Sequence, residues 1–216
     1  MNIGILGTGT VGKTFGTRLV DLGHNVMMGS RTPDNLNAEA WVRLTGKSLA
    51  SHGTYADAAK FGEILFNCTA GRGSLSALES IKHSDLYNKV LIDVANPLDF
   101  SRGAPPTLTV CNTDSLAEQI QREFKLLRVV KALNNMNVEV SVNPKQVPGP
   151  HDVFICGNDA DAKGTVTMVL TEWFGWENVI DLGDISAARG MEMALPLWIS
   201  LRGKLGTNLF NFHIAH

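Results

Sequence analysis

MNIGILGTGTVGK (residues 1–13) sets glycines at 7, 9 and 12 directly behind a short apolar run. Glycine loses more conformational freedom on folding than any other residue, so three in six positions signal a tight turn or a close approach of the backbone to something else. The run at 2–6 reads as a β-strand and the residues that follow the glycines read as a helix, which makes this a G-x-G-x-x-G turn between strand and helix. In that setting Gly7 makes the turn, Gly9 lets the backbone meet a pyrophosphate, and Gly12 lets helix and strand pack. The helix N-terminus adds unpaired N–H groups and a partial positive charge for the phosphates. Gly7, Thr8, Gly9, Thr10, Val11 and Gly12 are therefore the predicted dinucleotide loop; a turn that only packs is the alternative.

The end of the next apolar run selects the dinucleotide. An NAD site carries an acid about 20 residues beyond the glycines to bond the ribose 2′-hydroxyl. This chain instead reads MMGSRTPD at 27–34, with Gly29, Ser30 and Arg31 in the acid's place. A guanidinium there can fork onto a 2′-phosphate, and Ser30 and Thr32 add hydroxyl donors, so NADP(H) is the expected cofactor. A solvated surface arginine is the competing reading.

Outward from this turn, short apolar runs alternate with helical patterns. The runs are at 2–6, 25–29, 63–67, 89–94, 126–133, 152–156 and 178–182, with a weaker one near 48–52. Such alternation predicts βα repeats feeding a mostly parallel sheet. Helices are expected at 14–22, ending at Gly23, at about 34–46, and at 115–124, capped by Asp114 or Ser115. The turn-rich segments 96–108 and 143–152 read as loops at sheet edges. The segment 186–206 has apolar residues at 191, 194, 195, 198, 201 and 205, an amphipathic helix that Pro196 should kink. The expected fold is one α/β domain over 1–216, a Rossmann-type doubly wound sheet with a C-terminal amphipathic helix.

Composition agrees with an ordinary globular chain: of 216 residues, 44% are hydrophobic and 19% charged, enough for one core and short for two domains. A net charge of −2 gives no electrostatic reason to expect nucleic acid or an anionic membrane as partner. No run nears the roughly 18 apolar residues of a membrane span, and with strand signals beginning at residue 3 no targeting segment is expected. Cys68, Cys111 and Cys156 have no paired spacing, which argues against a metal site or a secreted disulfide framework and for a cytoplasmic location. None of the histidines at 24, 52, 83, 151, 213 and 216 falls in a triad or ligand context, and no catalytic residue is assigned. Hydride transfer between a nicotinamide and a planar ring asks for alignment more than for proton chemistry.

Loops after the later strands complete the crevice of an open α/β sheet. NCTAGRGS (67–74) supplies Thr69 and Ala70, VANP (94–97) supplies Ala95, Asn96 and Pro97, and Ala132 is the last residue but one of the run at 126–133. Gly71 and Gly73 either make room there or simply turn the chain.

GILGTGTVGKTFGTRLVDLGHNVMMGSR (4–31), VVKALNNMN (129–137), VFICGNDADAK (153–163) and LGDISAARGMEMALPLW (182–198) resemble the NADPH-dependent coenzyme F-420 reductases, the 8-hydroxy-5-deazaflavin:NADP oxidoreductases. The related oxidoreductase domain of membrane metalloreductases, and the N-terminal domain of pyrroline-5-carboxylate reductases, are expected to share the first half only. The resemblance implies hydride transfer between NADPH and coenzyme F-420 or a flavin. It places NADP contacts at Thr8 to Val11, Ser30 and Arg31, and an acceptor pocket near Leu133, Asn134 and the C-terminal helix. On that helix Met191, Met193 and Trp198 could wall a ring pocket, or could form a core or dimer face; a homodimer is expected. A non-catalytic NADP(H) sensor is the reading from another class.

Overall fold

The computed structural model describes residues 1–46 and 48–215. One sheet of eight strands organises them. Its strands are β1 (Asn2–Leu6), β2 (Asn25–Ser30), β3 (Ala50–Thr54), β4 (Ile64–Asn67) and β5 (Val90–Asp93), then β8 (Arg128–Ala132), β9 (Asp152–Gly157) and β10 (Asn178–Asp181), after a small hairpin of β6 (Leu98–Asp99) and β7 (Thr107–Leu108). The order across the sheet is β10-β9-β8-β5-β4-β1-β2-β3. Chain order runs outward from β1 to β3 and then crosses back to β4, so the switch point lies between β1 and β4, where such sheets bind ligands.

All neighbours pair in parallel except β8 and β9, where Lys131 lies opposite Cys156; β10 then follows β9 in parallel. The last two strands therefore run against the rest. The turn-rich segment 96–108, expected to be loop throughout, pairs Leu98 with Leu108 in the β6–β7 hairpin. The weak run near 48–52 is a strand, shifted to 50–54 and paired with β2.

The helices are α1 (Thr10–Asp21), α2 (Leu36–Thr45), α3 (Tyr55–Phe61), α4 (Ser74–Glu79), α5 (His83–Leu86), α6 (Leu116–Glu123), α7 (Val138–Val142), α8 (Ala160–Met168), and α9 (Ala188–Leu205). Ser115 caps α6 by accepting from Glu118 N–H, and Gly46 closes α2 in a left-handed conformation. Helix α1 starts four residues before the expected Thr14, because Gly12 lies inside its first turn. Helix α9 continues through Pro196, which removes one backbone donor without ending the helix.

Alternation along the strands splits the interior into two layers. Ile3, Ile5, Phe66, Ile92 and Val130 meet Phe15 and Leu19 of α1, Trp41 of α2 and Val166 of α8 on one face. Leu65, Leu91 and Val129 meet Ala58 of α3, Ile120 of α6 and Met191 of α9 on the other. By the same period of two, Asn67, Asp93 and Lys131 point to that second face. No helix among the described residues is long and apolar enough to cross a membrane.

Candidate dinucleotide and acceptor crevice

The three glycines of the first turn are required for different reasons. Gly7 has φ +123°, and a Cβ there would lie 2.5 Å from the Cys68 carbonyl oxygen. A Cβ on Gly12 would lie 2.2 Å from the carbonyl oxygen of Gly7. Backbone geometry alone demands glycine at both. Gly9 is different: its backbone is extended (φ −77°, ψ −175°), and a Cβ there would meet nothing within 4 Å. The fold does not need glycine at position 9, so the open space over it is available to a ligand. Gly9 is also the N-cap of α1, and no side chain caps that helix. A bare helix N-terminus beneath open space fits a diphosphate.

Three cavities follow one another along the C-terminal edge of the parallel strands. The outer one, about 670 Å³, is lined by Gly7, Thr8, Gly9, Arg31, Tyr55 and Arg72, among others. The middle one, about 630 Å³, shares Cys68, Thr69, Ala70 and Arg72 with it and adds Val11, Val94, Ala95 and Asn96. The inner one, about 270 Å³, shares Val11, Val94 and Asn96 with the middle cavity and is closed by Leu133, Asn134, Met136, Leu195 and Trp198. The result is a trough from Arg31 at one end to Trp198 at the other.

Most of the residues singled out from the sequence meet in this trough, and some do not. Arg31 is exposed on the outer cavity beside Tyr55, whose hydroxyl is pushed up by burial and pulled back by the Arg31 charge. Ser30 is buried and donates its hydroxyl to the Thr32 carbonyl, which shapes the turn after β2. Thr32 is exposed. Thr10, Gly12, Ser30, Thr32, Pro97, Ala132 and Met191 line none of the three cavities, and Ala132 is fully buried in the core. Met191 is also core; it contributes its carbonyl, which accepts from Asn134 Nδ2 at 3.0 Å. Gly71 is tied to the crevice, since a Cβ there would lie 2.1 Å from the Asn96 carbonyl oxygen, whereas Gly73 is unconstrained.

Asn96 and Asn134 clasp the turns after β5 and β8 together. Asn96 Nδ2 donates to the Asn134 carbonyl at 2.7 Å, and Asn134 Nδ2 donates back to Asn96 Oδ1 at 2.9 Å. Next to this clasp, Leu133 is held at φ +59°, a conformation that leucine rarely adopts and that tends to mark functional turns. Two buried polar atoms of the inner cavity's residues, Asn134 Oδ1 and Trp198 Nε1, have no hydrogen-bond partner among the described residues. Trp198 stacks on Phe210, with centroids 5.2 Å apart.

Beneath the trough lies a polar cluster that the sequence reading missed. Lys131, Asp93 and Glu192 are wholly buried; Lys131 Nζ is 2.9 Å from a carboxylate oxygen of each. Asn67 Nδ2 donates to Asp93 Oδ1 at 2.7 Å and to Ser74 Oγ at 3.1 Å, and the Thr69 hydroxyl joins Asn67 and Ser74 at 2.7 Å each. Burial alone would lower the Lys131 ammonium, but the two carboxylates more than offset it and hold it above the ordinary lysine value. Burial pushes the Cys156 thiol up to about 12 and Cys68 higher still, so neither offers a thiolate at neutral pH. The available signal was a lysine inside the apolar run LLRVVKAL, which a strand in a two-sided sheet must bury and therefore pair.

The chain matches known proteins along most of its length. Residues 2–97 fit the model of the family "NADP oxidoreductase coenzyme F420-dependent". The F420-dependent NADP reductase of Methanocaldococcus jannaschii is 30% identical over 214 residues, 94% of this chain and 93% of that protein. A crystal structure from Arthrobacter sp. FB24, provisionally named an F420-dependent NADP reductase, superposes with a TM-score of 0.93 at 47% identity, covering 99% of both chains. Metalloreductase STEAP3 of Rattus norvegicus is 31% identical over 210 residues. That match covers 96% of this chain and corrects the expectation that metalloreductases share only its first half; the chain spans 38% of the metalloreductase's own length. On these matches the chain is an NADP-dependent oxidoreductase and belongs to the coenzyme F420-dependent NADP oxidoreductase family.

Proposed function

We propose that the chain moves a hydride between NADPH and a planar acceptor, a deazaflavin such as coenzyme F-420 or a flavin, with the dinucleotide along the outer and middle cavities and the acceptor ring at the inner one. The observation that carries this reading is the continuity of the trough: Val11, Val94 and Asn96 belong to both the middle and the inner cavity, so two rings seated there would touch. When bound, NADPH supplies the hydride and the acceptor ring receives it.

The protein's own part is to bind, orient and exclude water. Gly9 and the α1 N-terminus take the diphosphate, and Arg31, with the turn from Ser30 to Thr32, takes the 2′-phosphate through a charge-assisted contact. The Asn96–Asn134 clasp fixes the wall between the two ring positions. Met136, Leu195 and Trp198 shield the junction from water. Alignment of this kind converts a bimolecular encounter into a near-unimolecular step.

The exposed side of α9, with Met193, Leu197 and Leu205, suits a second copy of the chain, and we place the working unit as a cytoplasmic homodimer. The test is NADPH oxidation measured in parallel with coenzyme F-420, FMN, FAD, a quinone and ferric citrate. Turnover with F-420 or a flavin is expected. A protein that binds NADPH yet reduces neither F-420 nor either flavin would overturn the proposal.

A further inference from the structure

We propose that Lys131 is a positioning residue that sets the two ring sites relative to one another. This rests on the reading above, in which the turn after β5 borders the nicotinamide and α9 borders the acceptor. Lys131 is bonded to both at once. Its ammonium donates to the Ala95 carbonyl and to Asp93 Oδ2 at 2.9 Å, and Asp93 Oδ1 also accepts from Ala95 N–H at 3.3 Å. The same ammonium is 2.9 Å from Glu192 Oε1 on α9. Glu192 accepts in turn from the N–H groups of Leu116 and Ala117, at 2.9 and 3.2 Å, in the first turn of α6. One nitrogen, with no exposure to water, thus joins the strand end that carries Val94, Ala95 and Asn96 to the helix that carries Leu195 and Trp198.

Packing alone does not require this arrangement. A buried lysine between two carboxylates is costly to desolvate, and an apolar or neutral replacement of similar shape often serves stability as well or better. What a neutral replacement lacks is direction. Lys131 has three donors, and the three acceptors it meets come from the strand end (Asp93), the turn (Ala95) and the helix (Glu192), so the ammonium fixes a distance and an angle between them. Removing it should let the two walls drift apart by about 1 Å, enough to slow hydride transfer.

The test compares Lys131→Met with the neutral triple variant Lys131→Met, Asp93→Asn, Glu192→Gln. The triple variant relieves the stranded charges and is the arm that reports if the single variant does not fold. In the triple variant, thermal stability is expected to fall modestly, because Glu192→Gln leaves one acceptor oxygen where Glu192 offers two to the Leu116 and Ala117 N–H groups, and the dissociation constant for NADPH is expected within about two-fold, since the glycine loop and Arg31 are untouched. With F-420 or FMN, kcat is expected to fall on the order of 10²-fold. Backbone hydrogen exchange adds a readout apart from turnover: residues 95–97 and 190–198 should exchange faster together, with α1 unchanged. A triple variant with wild-type stability, kcat and exchange would overturn the proposal, because Lys131 would then only balance charge. A wild-type protein that reduces no acceptor would count against the proposed function, and coupled exchange of the two segments would still decide the role of Lys131.

Discussion

Replacing Gly9 by alanine separates a ligand-binding glycine from a structural one. Its extended backbone is open to any residue, and the added methyl meets nothing within 4 Å. Two small terms act on the fold. Alanine restricts the unfolded chain and stabilises by about 0.4–1 kcal/mol, while glycine is the better N-cap by roughly 0.5–1 kcal/mol. They offset to within about 1 kcal/mol, so Tm should stay within about 4 °C for a chain of this size. Binding has no such compensation. The methyl stands where a diphosphate would approach, and losing two backbone hydrogen bonds to phosphate, at about 1.5–3 kcal/mol each, amounts to about 3–6 kcal/mol. That weakens NADPH binding by roughly 10² to 10⁴-fold. Calorimetric titration with NADPH alongside a thermal melt reads both quantities. Gly12→Ala serves as the contrast, since its Cβ would strike the Gly7 carbonyl and should destabilise the fold itself. A Gly9→Ala protein with wild-type melting and wild-type affinity would refute the reasoning, and one that fails to fold would make Gly9 structural.

Other outcomes follow from the same geometry. Arg31→Ala should cost NADPH roughly 1.5–3 kcal/mol of binding and leave NADH nearly unchanged; equal losses for both cofactors in titration would remove Arg31 from the 2′-phosphate. Leu197, 56% exposed on α9, should tolerate Leu197→Asp within the fold, yet the variant should sediment as a monomer if α9 forms the dimer face; an unchanged sedimentation coefficient for a dimeric protein would move the interface elsewhere. The Asp114 carboxyl is held down at about 2 by its forked bond to Arg122, 2.8 Å on each side. A depressed carboxyl stabilises above its unfolded value near 3.8 and loses that contribution as pH falls towards 2. Asp114→Asn should therefore be less stable than wild type at pH 6, by less than about 1 kcal/mol for so exposed a pair, and the gap should close towards pH 2. Denaturant melts showing the same gap at both pH values would count against the pair.

The crevice was legible where chemistry leaves a local mark. Gly7, Gly9 and Gly12 announce themselves by spacing, and the absence of an acid at 29–31 is visible in one line of sequence. Apolar runs gave the strands, because a strand covered on both faces has few polar positions. Direction is another matter: nothing in DVFICG tells that β9 runs against β8, since pairing direction depends on how the chain returns from 143–151 and not on residue type. Helix α3 escaped notice because it is seven residues long, although Thr54 and Asp57 form a capping box at its start. Tyr55 and Arg72 reach the outer cavity from elements whose placement depends on the whole sheet. The Lys131 cluster was hidden for the same reason: its members lie 38 and 61 residues apart in sequence, and only the shared strand face and α9 bring them together.

The most direct test of the account follows the hydride itself. Wild-type protein is given NADPH carrying deuterium at C4 of the nicotinamide, with coenzyme F-420 as acceptor, and the reduced deazaflavin is examined by mass spectrometry and NMR. Adjoining ring sites predict that deuterium from one face of the nicotinamide appears on the deazaflavin ring carbon, about one per molecule reduced, without dilution by solvent hydrogen. Reduced F-420 that carries hydrogen from water would contradict it, as would a protein that binds NADPH and reduces neither F-420 nor a flavin.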